Sequence, residues 1–333
     1  MLNLMKQFTS AFSVTGWERP LAGLIQQTLA PVADESFIDP LGNLLVLRKG
    51  KDSSRKLMIA SHMDEIGFVV TSVDESGFIH VSNVGGIHAV ASSFHRVRFR
   101  NGVIGVIVPE SGVKAADLNA NKLVVDIGAS DRKSAEKRGI RVGELCAVMP
   151  MLQRLSGSRY AAKAFDDRIG CVVSAYAALH ADTPAYDTWF VFTVQEEVGC
   201  RGAKPAAFRI SPDYALALDV TTADECGGKA PVTRLGDGAA IKIKDSSVLC
   251  APEIVDRLTE LAKARKVKYQ YEVLTAGGTD TSSMQMAGIG CIAGCISIPT
   301  RYIHSPVETL DMKDLKACAD LLTAFVEEGI SET

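Results

Sequence analysis

Ser61-His62-Met63-Asp64-Glu65-Ile66-Gly67 places a histidine and two carboxylates close together, directly after the apolar run Leu57-Met58-Ile59-Ala60, in a chain with only six histidines. A histidine followed two positions later by an aspartate reads either as a metal ligand with its supporting carboxylate or as a surface turn. Four more polar clusters bear on the choice. Gln195-Glu196-Glu197-Val198-Gly199 follows the apolar Trp189-to-Val194, Asp219 follows Ala215-Leu216-Ala217-Leu218, and Arg301-Tyr302-Ile303-His304-Ser305-Pro306 follows a run ending at Ile298. The pair Asp166-Asp167 stands at the start of a helical pattern. Two histidines and several carboxylates supply the N and O ligands that suit Zn²⁺, Co²⁺ or Mn²⁺. Adjacent glutamates divide naturally, one binding metal and the other moving protons. A glycosidase is excluded, because its two carboxylates flank a bond at ~5–9.5 Å and chain neighbours are poorly placed to do so.

Each cluster also has a plain reading. Asp166 or Asp167 can cap a helix, Glu196-Glu197 can be a solvated strand end, and a single histidine is more often packed or on the surface. Gly277-Gly278-Thr279-Asp280 can be a tight loop with a threonine or aspartate cap. The joint placement decides, since in open α/β sheets sites are built at the C-terminal ends of strands.

Three textures along the chain supply the elements that must position these residues. Residues 1 to about 68 hold two helical patterns, the second with Leu21, Leu24, Ile25 and Leu29 at helical spacing, and then two strand-like runs. From Phe68 to Gln153, short β-rich runs recur between glycine, serine and asparagine, with one short helical piece near Ser134 to Arg138. That pattern predicts a small barrel or sandwich. From about Lys163, strands and helices alternate, which predicts a mixed α/β sheet covered by helices on both faces. The simplest arrangement is one α/β domain made from both ends of the chain, with the β-rich segment inserted.

Composition narrows the function classes. The chain has 333 residues, on a scale where a domain takes ~100–200. Its net charge of −3 offers no basic field for nucleic acid or an anionic membrane. Apolar stretches fall short of the ~20 residues of a membrane helix. The N-terminus lacks a basic region followed by an apolar one, so no signal peptide is expected. Cys146, Cys171, Cys200, Cys226, Cys250, Cys291, Cys295 and Cys318 are scattered without a paired framework, which predicts reduced thiols in a cytoplasmic protein.

His62-x-Asp64, Ala164-Phe165-Asp166-Asp167-Arg168, Glu196-Glu197-Val198-Gly199, Asp219-Val220-Thr221, Gly277-Gly278-Thr279-Asp280 and His304-Ser305-Pro306 together resemble the glutamyl and deblocking aminopeptidases, the tetrahedral aminopeptidase family. The resemblance covers nearly the whole chain, in order. It implies a catalytic α/β domain over 1–68 and 160–333, and an inserted PDZ-like dimerisation domain over 69–159. It also implies two divalent metal ions, short peptide substrates and a homo-oligomer that is often a dodecamer. Carried over by residue, Asp166 bridges the metals, His62 and Asp219 complete one site, and Glu197 and His304 complete the other. Glu196 becomes the general base and Asp64 the support of His62, while Gly277, Gly278 and Asp280 lie beside the substrate. Cys200 stands where the family usually has a larger aliphatic residue and is read as packing, with an oxidation-sensitive thiol near the metals as the other reading. Glu65 gains no chemistry and is read as structural. The alternative within the same chemistry is an amidohydrolase that deacylates a modified metabolite.

Overall fold

The protein is described from a computed structural model, over residues 1–224 and 231–330. Cys226 and the last three residues therefore lie outside the described residues. Helices α1 (Leu2–Ser10) and α2 (Arg19–Leu29) precede strands β1 (Glu35–Ile38), β2 (Leu44–Arg48) and β3 (Asp52–His62). The β-rich segment holds β4 (Gly67–Val73), β5 (Ile79–Val84), α3 (Ala89–Ser92), β6 (His95–Phe99), β7 (Ile104–Pro109), β8 (Leu123–Asp126), α4 (Arg132–Lys137) and β9 (Leu145–Val148). Then come β10 (Gln153–Arg154), β11 (Arg159–Ala162), α5 (Phe165–His180), β12 (Tyr186–Thr193), α6 (Ala203–Ile210), β13 (Tyr214–Thr222) and β14 (Ala239–Lys244). The chain closes with α7 (Pro252–Ala264), β15 (Tyr269–Val273), α8 (Asp280–Gln285), β16 (Ile292–Arg301), β17 (Glu308–Asp311) and α9 (Met312–Glu328).

Among the described residues, eleven strands form one mixed sheet in the order β1-β2-β12-β3-β13-β16-β17-β11-β10, with β14 and β15 joined at β16. Its centre, β12-β3-β13-β16, is parallel. Alternation along each central strand explains the two helix layers. Leu57 and Ile59, Leu216 and Leu218, and Ile296 and Ile298 pack into the core beneath α1, α2, α5, α7 and α9. Met58 and Ala60, Ala215 and Ala217, and Ala293 and Cys295 face α6 and α8 instead. Small side chains on that second face let α6 approach through Ala203, Ala206 and Ala207.

Strands β4-β5-β8-β7-β6-β9 close an antiparallel barrel around Phe68, Val70, Ile79, Val81, Val97, Phe99, Ile107, Val125 and Cys146. Gln153 and Arg154 already pair with the large sheet. The structure adds elements absent from the sequence reading: α3 and two single-turn helices in the barrel segment, α6, and strands β1, β10, β11, β14 and β17. β13 also runs on to Thr222, so Asp219 sits inside a strand rather than beyond its end.

Candidate metal centre and active site

The ligand-type residues meet at the C-terminal ends of the parallel strands, the position open α/β sheets offer for a site. His62 is the last residue of β3. Its Nδ1 faces Asp64, 3.2 Å from the backbone oxygen and 3.4 Å from Oδ1, which leaves Nε2 pointing away. That Nε2 lies 3.0 Å from Asp166 Oδ1 and 3.9 Å from Asp219 Oδ1. On the other side, His304 Nε2 lies 3.1 Å from Asp166 Oδ2 and 3.2 Å from Glu197 Oε2. Asp166 thus presents one oxygen to each histidine. Ligand atoms of His62, Asp166 and Asp219 lie within 4.8 Å of one another, as do those of Asp166, Glu197 and His304.

The turn after β12 is held from beneath. Asp64 is fully buried, and its two oxygens accept the backbone N–H groups of Glu196 (3.0 Å) and Glu197 (3.2 Å) and the Thr15 hydroxyl (2.8 Å). One carboxylate therefore orients the His62 ring and the Glu196–Glu197 turn together. Asp167, neighbour of Asp166, does the capping work: its carboxylate accepts the N–H of Gly170 in α5 (3.0 Å) and of His62 in β3 (3.2 Å). Ala164, Gln195, Cys200, Tyr302 and His304 all take left-handed φ values between 51° and 62° around this site. Non-glycine residues there cost of order 1–3 kcal/mol each, so the surrounding contacts must hold them.

The charge balance asks for cations. Burial raises the carboxyl groups of Asp167, Asp219, Glu196 and Glu197 above their usual range, and neighbouring carboxylates push further. Burial and the Asp166 charge bring Glu308 up to about 8. Against the pull of burial, contacts with Asp166 and Glu197 hold His304 up at about 12, and contacts with Asp166 and Asp64 hold His62 well above the usual imidazole value. Glu197 Oε1 is buried with no hydrogen-bond partner among the described residues. Isolated buried carboxylates are expensive unless paired or bound to metal. A donor set of two imidazoles and a crowd of carboxylates, with an orphaned oxygen, fits divalent cations.

Beside this cluster opens a cleft of about 1230 Å³, its mouth included, lined in part by Glu196, Glu197, Cys200, Asp219, Gly277, Gly278 and His304. Thr279 caps α8, its hydroxyl accepting the Thr281 N–H at 3.3 Å. Asp280 does not line the cleft; it is buried, and its Oδ2 accepts the Thr193 hydroxyl at 2.6 Å. The barrel contributes as well. Gly86, on the β5–α3 loop, lies so close to His304 that a Cβ there would sit 2.7 Å from the ring Nδ1.

The sequence profile of the M42 glutamyl aminopeptidases matches residues 42–321. The chain belongs to the M42 glutamyl aminopeptidase family. A relative in Acetivibrio thermocellus is 42% identical over 98% of each chain. The solved structure of an aminopeptidase from Desulfurococcus kamchatkensis superposes with a TM-score of 0.94 at 39% identity, covering 98% of this chain and 94% of its own. The TET1 peptidase of Pyrococcus horikoshii, which assembles into a tetrahedron or a large octahedral shell, gives a TM-score of 0.86 at 27% identity, covering 98% and 99%.

In this M42 aminopeptidase, two groups around the site escaped the sequence reading. Glu308 accepts the backbone N–H of Asp166 through Oε2 (3.0 Å) and that of His304 through Oε1 (2.9 Å). Its only signal was a carboxylate four positions after His304. Lys163 forms a buried ion pair with Glu65, and Arg168 joins it at 3.1 Å. Glu65 is thus tied into the framework.

Proposed function

We propose that this M42 peptidase is a dinuclear, metal-dependent aminopeptidase that removes N-terminal residues from short peptides. The observation that carries the reading is Asp166, whose two oxygens face His62 and His304 on opposite sides. In this reading His62 and Asp219 would hold one cation and Glu197 and His304 the other, with Asp166 serving both. When bound, the two ions, zinc or cobalt with manganese as a third candidate, act as Lewis acids on the scissile carbonyl and lower the pKa of water. Glu196 takes the proton of the attacking water and returns it to the leaving amine. Asp64 fixes the His62 tautomer and keeps the Glu196 turn in place. Gly277 and Gly278 admit the substrate backbone, and Asp280 supports that loop from below.

In this proposal the two ends of the chain form the catalytic domain and the barrel of β4 to β9 between them is the inserted dimerisation domain; Gln153 and Arg154, within the expected 69–159, go with the catalytic sheet. The barrel exposes Val90, Phe94, Ile104 and Val106, a surface suited to a second copy of the chain. Homo-oligomerisation, with a dodecamer as the leading form, is supported by the related PhTET1, whose solved structure is a dodecamer. Scattered free thiols suit a reducing cytoplasm. Among the described residues no helix is long and apolar enough to cross a membrane.

Glu196→Gln tests the mechanism. It should keep its metal and lose roughly 10²–10⁴-fold in aminoacyl-anilide hydrolysis. Hydrolysis at the wild-type rate would falsify the base assignment. Preference for N-acyl amino acids over aminoacyl anilides would replace the peptidase reading by a deacylase.

A further inference from the structure

Glu196 has a second neighbour that the proposed mechanism does not use. Its Oε2 looks toward the catalytic cluster, 4.0 Å from His62 Nε2. Its Oε1 looks the other way and accepts the Cys200 thiol at 3.1 Å. Cys200 is placed there by the backbone, because its φ of 51° and its N–H bond to the Glu196 carbonyl (2.9 Å) fold the side chain back over the glutamate. Asp280 reaches the same spot from the start of α8. Its Oδ2 is taken by Thr193, but its Oδ1 is buried and has no partner among the described residues. Ligand atoms of Glu196, Cys200 and Asp280 lie within 4.8 Å of one another.

We propose that Glu196, Cys200 and Asp280 form a third cation site, which takes a thiophilic divalent ion such as zinc when the ion is in excess and stops hydrolysis by occupying Glu196. The inhibitory part rests on the reading of Glu196 as the general base. One sulfur and two carboxylates make this group different in kind from the other two, which offer only imidazole and carboxylate. Cysteine binds metal as the thiolate, so the incoming ion displaces the S–H proton, which leaves to solvent. The orphaned Asp280 oxygen supplies a ligand that protein contacts leave unused, and the ion's charge offsets two crowded carboxylates. Access is direct, since Glu196 and Cys200 both line the open cleft. The plain alternative is a thiol that merely packs against Glu196.

Cobalt alone serves as the probe, because a cobalt–thiolate bond absorbs through charge transfer and cobalt bound to nitrogen and oxygen does not absorb in that way. The full-length enzyme is titrated with Co²⁺ while bound metal, the charge-transfer band and aminoacyl-anilide hydrolysis are followed. The band should appear only with the third equivalent per chain, and hydrolysis should fall by ~10²-fold as that site fills. Cys200→Val should bind two equivalents, show no band and stay active at the same cobalt concentration; Cys200→Ser provides the same test if valine disturbs folding. Absence of the band, or inhibition unchanged in both variants, overturns the site. A band that grows in while hydrolysis continues unchanged overturns the inhibitory role and with it Glu196 as base. Absence of the band together with an inactive Glu196→Gln overturns the third site alone.

Discussion

Glu308 joins two loops that come from distant parts of the chain, and single atoms show how. One oxygen takes the N–H of Asp166 and the other that of His304, so both ligand-bearing residues depend on a buried carboxylate that touches neither side chain. Glutamine keeps one acceptor but turns an NH₂ group toward the other N–H, where two donors then face each other. Loss of such a supporting group typically costs 10–100-fold in metal affinity. We expect Glu308→Gln to show that loss in competition with a chelator, and an unchanged affinity would remove Glu308 from the support of the site. At this scale the sequence was readable wherever a chemical type was rare. Six histidines made His62 and His304 conspicuous. Glu308 and Lys163 were not conspicuous, because nothing in a run of common charged residues marks which of them turns inward.

Elements were legible where periodicity was strong and obscure where an element was short or chemically mixed. The parallel strands announced themselves as apolar runs because both faces are buried. β14 did not, since Ala239-Ala240-Ile241-Lys242 ends in a lysine, yet Lys242 is buried against Glu272 at 2.5 Å. β1 is only four residues long and partly buried, and β10 is only two residues long. What the pattern did not reveal was which face of the sheet carries which volume. Leu216 and Ala217 are neighbours on β13, both buried, one toward each helix layer. Leu216→Ala should therefore leave a cavity and lose about 2–5 kcal/mol. Ala217→Leu should press against α6 and α8 and lose about 1–3 kcal/mol by overpacking. Urea unfolding of the two variants measures both, and an Ala217→Leu midpoint at or above wild type would mean that the second face has room the structure does not show.

For the molecule as a whole, the question is what locks the inserted barrel and the N-terminal segment to the catalytic sheet at the point where the chain crosses between them. Glu65 stands at that crossing, between β3 and β4. Its carboxylate meets Lys163, just ahead of α5, and Arg168 within it. Arg168 is fully buried and also donates to the backbone oxygens of Met63 (2.8 Å), Phe8 (2.6 Å) and Ser13 (3.4 Å). One guanidinium therefore ties α1, the crossing and α5 together. Burial alone would raise the Glu65 pKa, but Lys163 and Arg168 outweigh it and hold the group below the usual carboxylate range. Burial wins at Lys163, whose pKa falls. The carboxylate form of Glu65 is therefore the one this arrangement supports. A carboxylate lowered in the folded state contributes stability that is complete above its unfolded pKa of ~4.3 and is lost as pH falls through the folded value. Glu65→Gln leaves buried cations without their partner, which typically costs about 3–5 kcal/mol at neutral pH. The gap between wild type and Glu65→Gln in urea midpoints should thus be wide at pH 7 and close steadily below pH ~4.3. A gap that stays constant down to the acid limit would show that Glu65 acts through shape rather than charge, and that the crossing is held by the Arg168 backbone contacts alone.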